Sequence, residues 1–352
     1  MLKEAVKIKL HEGTVIPAHP LALTEERQLD EAGQRALTRY YIDAGVGGIA
    51  VGVHTTQFEI RDPEFNLYQK VLSLAIEETK RANVSESFIK IAGICGPTEQ
   101  AIHEATFSKG IGYDLGLLSM GGLNHLSEDE LLERAEKVAE IIPVFGFYLQ
   151  PAVGGRIFSY EFWERFASIQ NVHAIKIAPF DRYCSIDVVR AVCNSPRNED
   201  IALYTGNDDN IINDLLMTYE FTVGNHVVEK KIVGGLLGHW SVWTKQVVET
   251  FEEIKKVREQ DSIPTKLLTL GQQITDANAA IFDSRNSFKG SIAGINEILA
   301  RQGLLQGNWC LVDREVLSPG QAEELDRIYT SYPHLHDDEF VKANLSKWLA
   351  NN

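Results

Sequence analysis

Eight times along this chain a short apolar run is followed by a longer amphipathic one, and no low-complexity linker breaks the series. The short runs read as strands at Thr14–Ala18, Gly48–Val53, Phe88–Ile94, Leu115–Ser119, Val144–Leu149, His173–Ala178, Ile201–Thr205 and Val233–Gly238. Helical spacing predicts helices over Thr24–Ala44, Glu64–Ala82, Thr98–Lys109, Ser127–Ile141, Tyr160–Ser168, Ile186–Cys193, Asn210–Tyr219 and Ser241–Val257. Acids follow Thr24 as in a first helical turn, and Ser127 with Glu130 has the form of a capping box. Eight alternations in one undivided chain predict a (β/α)8 TIM barrel over residues 1–260. A doubly wound open sheet is the alternative, and it lacks a Gly-rich dinucleotide turn after the first strand. From about Asp261 the pattern is helical, at Leu267–Phe282, Gly290–Gln302, Pro319–Tyr329 and Asp337–Ala350. That is too much for a ninth repeat. It predicts a C-terminal helical extension over 261–352, packed on the barrel and shaping the site mouth or an oligomer interface.

One strand carries a charge where none is cheap. Lys176 stands inside His173-Ala174-Ile175-Lys176-Ile177-Ala178. A buried ammonium is costly unless paired or neutralised, and burial lowers its pKa toward the range in which the amine is a nucleophile. Such a lysine is a candidate imine former, or else a strand-end side chain that snorkels to water or pairs with an acid. Strand alternation bears on the choice. Ile175 and Ile177 alternate with Ala174, Lys176 and Ala178; Phe145, Phe147 and Leu149 alternate with Val144, Gly146 and Tyr148. Bulky residues suit the face under the helices, and small or polar ones suit the lumen. On this parity Lys176 and Tyr148 both face the lumen from adjacent strands, near the C-terminal ends where barrels place chemistry. By the same parity His54 faces the lumen as well.

The formal net charge of −15 argues against nucleic acid and anionic membrane surfaces as partners. The first ten residues lack the basic-then-apolar pattern of a secretory leader, and no apolar run is long enough to span a bilayer. The four cysteines, Cys95, Cys184, Cys193 and Cys310, lack zinc spacing and suggest no disulfide framework. A soluble protein of the reducing cytoplasm is the expectation.

Four segments occur in order: Tyr148-Leu149-Gln150-Pro151, His173-Ala174-Ile175-Lys176, Tyr204-Thr205-Gly206-Asn207-Asp208 and Gly234-Gly235-Leu236-Leu237. Their sequence and spacing resemble the dihydrodipicolinate synthase/N-acetylneuraminate lyase family of class I aldolases. Tyr41-Ile42-Asp43-Ala44-Gly45-Val46-Gly47-Gly48-Ile49 resembles the family's approach to its second strand, and His54-Thr55-Thr56 falls where it carries Gly and a hydroxyl pair. The resemblance spans residues 14–300. It implies that Lys176 forms an imine with pyruvate or another 2-oxo acid, with no other cofactor and no metal. It implies that Tyr148 relays protons, joined by Thr56, and that Thr55 and Thr56 hold the substrate carboxylate. Gly206 and Leu236 would shape the surroundings of the imine, and a homo-oligomer, dimer or tetramer, is expected.

Departures from the family pattern bear on the second substrate. Two residues beyond Pro151 the synthases carry Arg, and here stands Val153; Arg156 is three further on. Met120-Gly121-Gly122 replaces a Tyr near the end of the fourth strand, and Gln57-Phe58 replaces Gly-Glu after the hydroxyl pair. These changes argue against a true dihydrodipicolinate synthase and for a rebuilt second pocket. His54, His239 and Asn207 are candidates to line it. Asn207, Asp208 and Asp209 serve either a polyhydroxy acceptor or the cap of the next helix. The predicted function is a Schiff-base lyase, aldolase or dehydratase; the alternative is a non-catalytic barrel that binds a 2-oxo acid.

Overall fold

The computed structural model describes residues 1–350. Its strands are β1 (Val15–Pro17), β2 (Gly48–Val51), β3 (Ile89–Ile94), β4 (Leu115–Leu118), β5 (Val144–Leu149), β6 (Val172–Ala178), β7 (Ala202–Thr205), β8 (Thr218–Val223) and β9 (His226–Leu237). Its helices through the barrel are α1 (Glu4–Glu12), α2 (Glu31–Ala44), α3 (Tyr68–Arg81), α4 (Thr98–Ile111), α5 (Glu128–Ala139), α6 (Tyr160–Ser168), α7 (Arg182–Asn194), α8 (Ile211–Leu216) and α9 (Thr244–Val257). Four more follow: α10 (Thr265–Ile281), α11 (Ser291–Arg301), α12 (Gln321–Ser331) and α13 (Asp338–Leu349). The eight parallel strands, all but β8, are ordered as in a (β/α)8 barrel. No helix of the described residues is long and apolar enough to cross a membrane.

The chain forms two compact units. The first combines Met1–Thr14 with Glu86–Leu236. In it β3, β4, β5, β6, β7 and β9 pair in that order, each parallel to the next. Apart from Lys176 on β6 and Thr205 on β7, the buried residues of these strands are apolar on both faces, as strands covered on both sides require. The capping box at Ser127 forms: its backbone N–H donates to Glu130 at 2.7 Å, and its hydroxyl accepts from the Glu130 N–H at 3.3 Å. One expected helix is not built as predicted. Helix α8 stops at Leu216, and Tyr219 belongs to an antiparallel hairpin of β8 with β9. The run Thr218-Tyr-Glu-Phe-Thr-Val223 is rich in aromatic and β-branched residues, and Gly224-Asn225 supplies the turn, so strand propensity wins there.

The second unit combines Val15–Ser85 with the chain from Leu237 on. Here β1 lies beside β2: the Gly47 N–H donates to Val15 O at 3.2 Å and the His19 N–H to Ala50 O at 2.8 Å. Helix α2 begins at Glu31, capped by Asp30, whose carboxylate accepts from the Gly33 N–H at 3.0 Å. Residues 24–27 form a turn instead of the first helical turn predicted, with Arg27 at φ 57°. The C-terminal helices belong to this unit. The Tyr40 hydroxyl donates to Asp337 at 2.7 Å and the Trp348 indole to Asp43 at 2.7 Å, which fixes both ends of α13 on α2. Between α11 and α12 an irregular segment crosses the turn after β2. Its Leu311 N–H donates to Gln57 Oε1 at 2.6 Å, and Arg27 ion-pairs with Asp313 at 3.0 Å and bonds Cys310 O.

Candidate active site

The first unit holds the lysine. Lys176 sits one turn of pleat before the end of β6, 7 % exposed. Its Cα partners are Phe147 on β5 and Tyr204 on β7, so the three side chains share one face of the sheet. The ammonium lies 4.4 Å from the centre of the Phe147 ring. Burial pulls its pKa down from 10.5 to about 8, and the Asp208 carboxylate opposes the fall. A ring face and one buried carboxylate stabilise the ammonium less than water would, so near neutrality a usable share of the lysine is free amine. Gly206 makes room for it. A Cβ there would stand 2.4 Å from Lys176 Cε and 2.7 Å from the Ala178 Cβ. Its N–H donates to Ile177 O at 2.7 Å, which keeps the β7 backbone against the lysine stem.

Tyr148 is not on that face. Its Cα pairs with Ile177, and its ring packs at 4.9 Å from Trp163 and 5.7 Å from Phe158, under α6. The hydroxyl bonds the Cys184 thiol of α7 and accepts from the Phe158 N–H at 3.4 Å. Burial first, and Cys184 second, push its pKa up. The expected shared face of Lys176 and Tyr148 is therefore corrected. On β5 the bulky residues Phe145 and Phe147 turn inward, and Gly146 turns outward, where a Cβ would meet Phe166 at 2.5 Å. The inward aromatic beside Lys176 is Phe147, which carries no proton to relay.

The remaining first-unit candidates are placed as follows. Asn207 is fully buried and spent within the scaffold. Its Nδ2 donates to Asp214 at 3.0 Å and Ser185 at 3.3 Å, and its Oδ1 accepts from the Phe180 N–H at 3.0 Å. It ties the loop after β6 to the loop after β7; helix α8 begins after Asn210 instead, and neither Asn207 nor the two aspartates cap it. Leu236 is a buried residue of β9. Arg156, three residues beyond Val153, donates to Leu126 O at 2.8 Å and lies over Phe158.

The second unit holds the hydroxyl pair, in a short 3-10 turn from His54 to Thr56. Thr56 is fully buried: its hydroxyl donates to His19 O at 2.6 Å and accepts from the N–H groups of Gly52 at 3.0 Å and Val53 at 3.2 Å. A hydroxyl has one proton and two lone pairs, so Thr56 is saturated. Thr55 donates to Ala18 O at 2.7 Å and keeps only acceptor capacity. The pair thus clamps the end of β1 to the turn after β2. Gln57 follows at φ 68° and ψ 124°, a conformation suited to glycine, and its side chain is held by Leu311. His54 is half-buried with its ring 5.9 Å from Phe58. His239 is buried, and its pKa falls to about 4, chiefly through burial.

Sequence reasoning missed two neighbours of Lys176. By size Phe147 falls on the helix face, and by sequence Asp208 reads as a helix cap or a ligand for hydroxyls, not as a partner of the lysine. The register between β5 and β6, which decides the first, carries no local sequence signal; the second depends on the loop after β7.

No protein-family model and no curated protein matches the chain. Solved structures do. A dihydrodipicolinate synthase superposes with a TM-score of 0.71 at 17 % identity, over 92 % of this chain and 99 % of that one. A dihydrodipicolinate synthase from Oceanobacillus iheyensis gives 0.71 at 16 %, over 91 % and 96 %. An N-acetylneuraminate lyase from Fusobacterium nucleatum, complexed with pyruvate, gives 0.70 at 18 %, over 93 % and 99 %. At this identity the likeness shows the fold: the chain has the (β/α)8 barrel of these enzymes.

Proposed function

We propose that this chain is a divergent member of the dihydrodipicolinate synthase/N-acetylneuraminate lyase family, a lyase whose Lys176 forms an imine with pyruvate or another 2-oxo acid. One observation carries the reading. A lysine buried in a barrel strand, its pKa lowered to about 8, has its stem admitted by a glycine that any side chain would close. The neutral amine attacks the ketone carbon, and the carbinolamine then loses water. The protonated imine left behind accepts electrons from a bond to the adjacent carbon, which is what an aldolase or a dehydratase needs. No other cofactor enters this scheme. The fold shared with a pyruvate-complexed lyase supports the choice of ligand.

A second reading is favoured by specific contacts. Tyr148 packs beneath α6 and the Thr56 hydroxyl is saturated, so a barrel that binds a 2-oxo acid without turning it over fits as well. Borohydride reduction in the presence of pyruvate, followed by intact mass, tests the first reading. A stable adduct that disappears in Lys176→Ala supports it, and no adduct with any 2-oxo acid sinks it. Release of an aldehyde with pyruvate then identifies an aldolase, and loss of water alone a dehydratase.

A further inference from the structure

Arg134, on α5, is fully buried in the first unit. Its Nε donates to Gly96 O, after β3, at 2.8 Å, and its Nη1 meets the Met120 thioether, after β4, at 3.3 Å. Its Nη2 is buried and has no hydrogen-bond partner. The carboxylate nearby is engaged by other donors: Glu104 accepts from the Cys95 N–H at 3.0 Å and from Gln100 at 2.8 Å. Burial brings the guanidinium down to about 10, with Cys95 and Glu104 opposing. A buried cation lacking a carboxylate partner is strongly disfavoured, and a thioether is a weak acceptor on a flexible stem. The residue's position adds to the oddity. Its fork lies between loops that leave the C-terminal ends of β3 and β4, the end where barrels put chemistry. Met120 opens the loop Met120-Gly121-Gly122, whose last residue is exposed and turns at φ 76°.

We propose that Arg134 is the receptor for a second carboxylate on the substrate, and that Met120 is a placeholder which that carboxylate displaces. This rests on the imine reading only for the word substrate; the receptor itself does not need Lys176. The two carboxylate oxygens accept from Nη1 and Nη2 end-on, a bidentate pair, while Nε stays on Gly96. The class of ligand that follows is a 2-oxo acid with a second carboxylate.

Isothermal titration of the full chain with glutarate and with pentanoate tests this, because neither carries a ketone. Wild type is expected to bind glutarate at least tenfold more tightly, and Arg134→Leu to lose the preference while its circular dichroism is retained. Equal affinity in wild type, or a preference that survives in Arg134→Leu, overturns the proposal. If Arg134→Leu does not fold, Met120→Ala decides: a several-fold gain in glutarate affinity supports the receptor, and no gain overturns it. A glutarate preference without any borohydride adduct would sink the imine and keep the receptor. An adduct without the preference would do the reverse.

Discussion

Lys176 and Thr56 are both buried polar residues at strand ends, and their surroundings are opposite. Thr56 has every hydrogen-bonding capacity filled by backbone groups within 3.2 Å. Lys176 has a ring face and an opposing carboxylate, and pays for burial with a depressed pKa. A saturated group has settled into the scaffold, whereas a charge kept dry and under-solvated is poised to react. The contrast ranks residues that a family resemblance had treated as equals.

The largest effect falls on Lys176 itself. Lys176→Met should abolish the borohydride adduct, and an adduct that survives in it would show another residue to be the nucleophile. The pH dependence has a fixed direction. The folded chain releases the Lys176 proton near pH 8 and the unfolded chain near 10.5, so the unfolded state binds more protons between them. Stability contributed by this group should rise through that window, by about 3 kcal/mol at most, and be lacking below pH 8. The rate of adduct formation should climb as pH approaches 8. Lys176→Met should flatten the stability profile.

Next comes the glycine that admits the lysine. A methyl group at Gly206 would stand 2.4 Å from Lys176 Cε, so either the stem or the β7 backbone must shift. Gly206→Ala should slow adduct formation by about 10- to 100-fold, since misplacing a reacting group by an ångström costs that much. A near-normal rate would mean that the lysine has slack the close packing conceals.

How much of this could be read in the sequence follows from what each feature depends on. The strand of Lys176 and the span of β5 are local: apolar runs bounded by breakers, matched by the structure at Val144–Leu149. The lysine's burial follows from that run alone. Which way β5 faces is not local. Parity says that Phe147 and Tyr148 oppose each other, but only the pairing with β6 says which one meets Lys176. Size was the wrong guide, because a narrow lumen can be filled by phenylalanines when the helix side offers its own aromatics, here Phe158, Phe162 and Trp163. The hydroxyl pair was found by resemblance, yet its saturation depends on carbonyls of Ala18 and His19, far away in sequence.

On the saturated side the prediction is one of stability. Thr56→Val removes a hydroxyl and orphans two buried N–H groups and a carbonyl, which should cost about 2–3 kcal/mol in denaturant titration. Thr55→Val breaks one bond to Ala18 O and should cost about 1 kcal/mol. If Thr56→Val folds as well as wild type but no longer forms the adduct, the clamp reading is wrong and the hydroxyl belongs to the chemistry.

The smallest effect is the most discriminating. A tyrosine relaying protons beside the imine would be worth about 10²–10⁴ in rate. Tyr148 instead bonds Cys184 and the Phe158 N–H beneath α6. Tyr148→Phe should therefore change adduct formation less than threefold and cost about 1 kcal/mol of stability, the worth of one buried hydroxyl's bonds. Reading both quantities on one variant separates the cases. A loss of rate by 10² at unchanged stability would require β5 to present Tyr148 to Lys176 when ligand binds. A loss of stability alone leaves Phe147 as the inner aromatic and makes water or substrate the carrier of the proton.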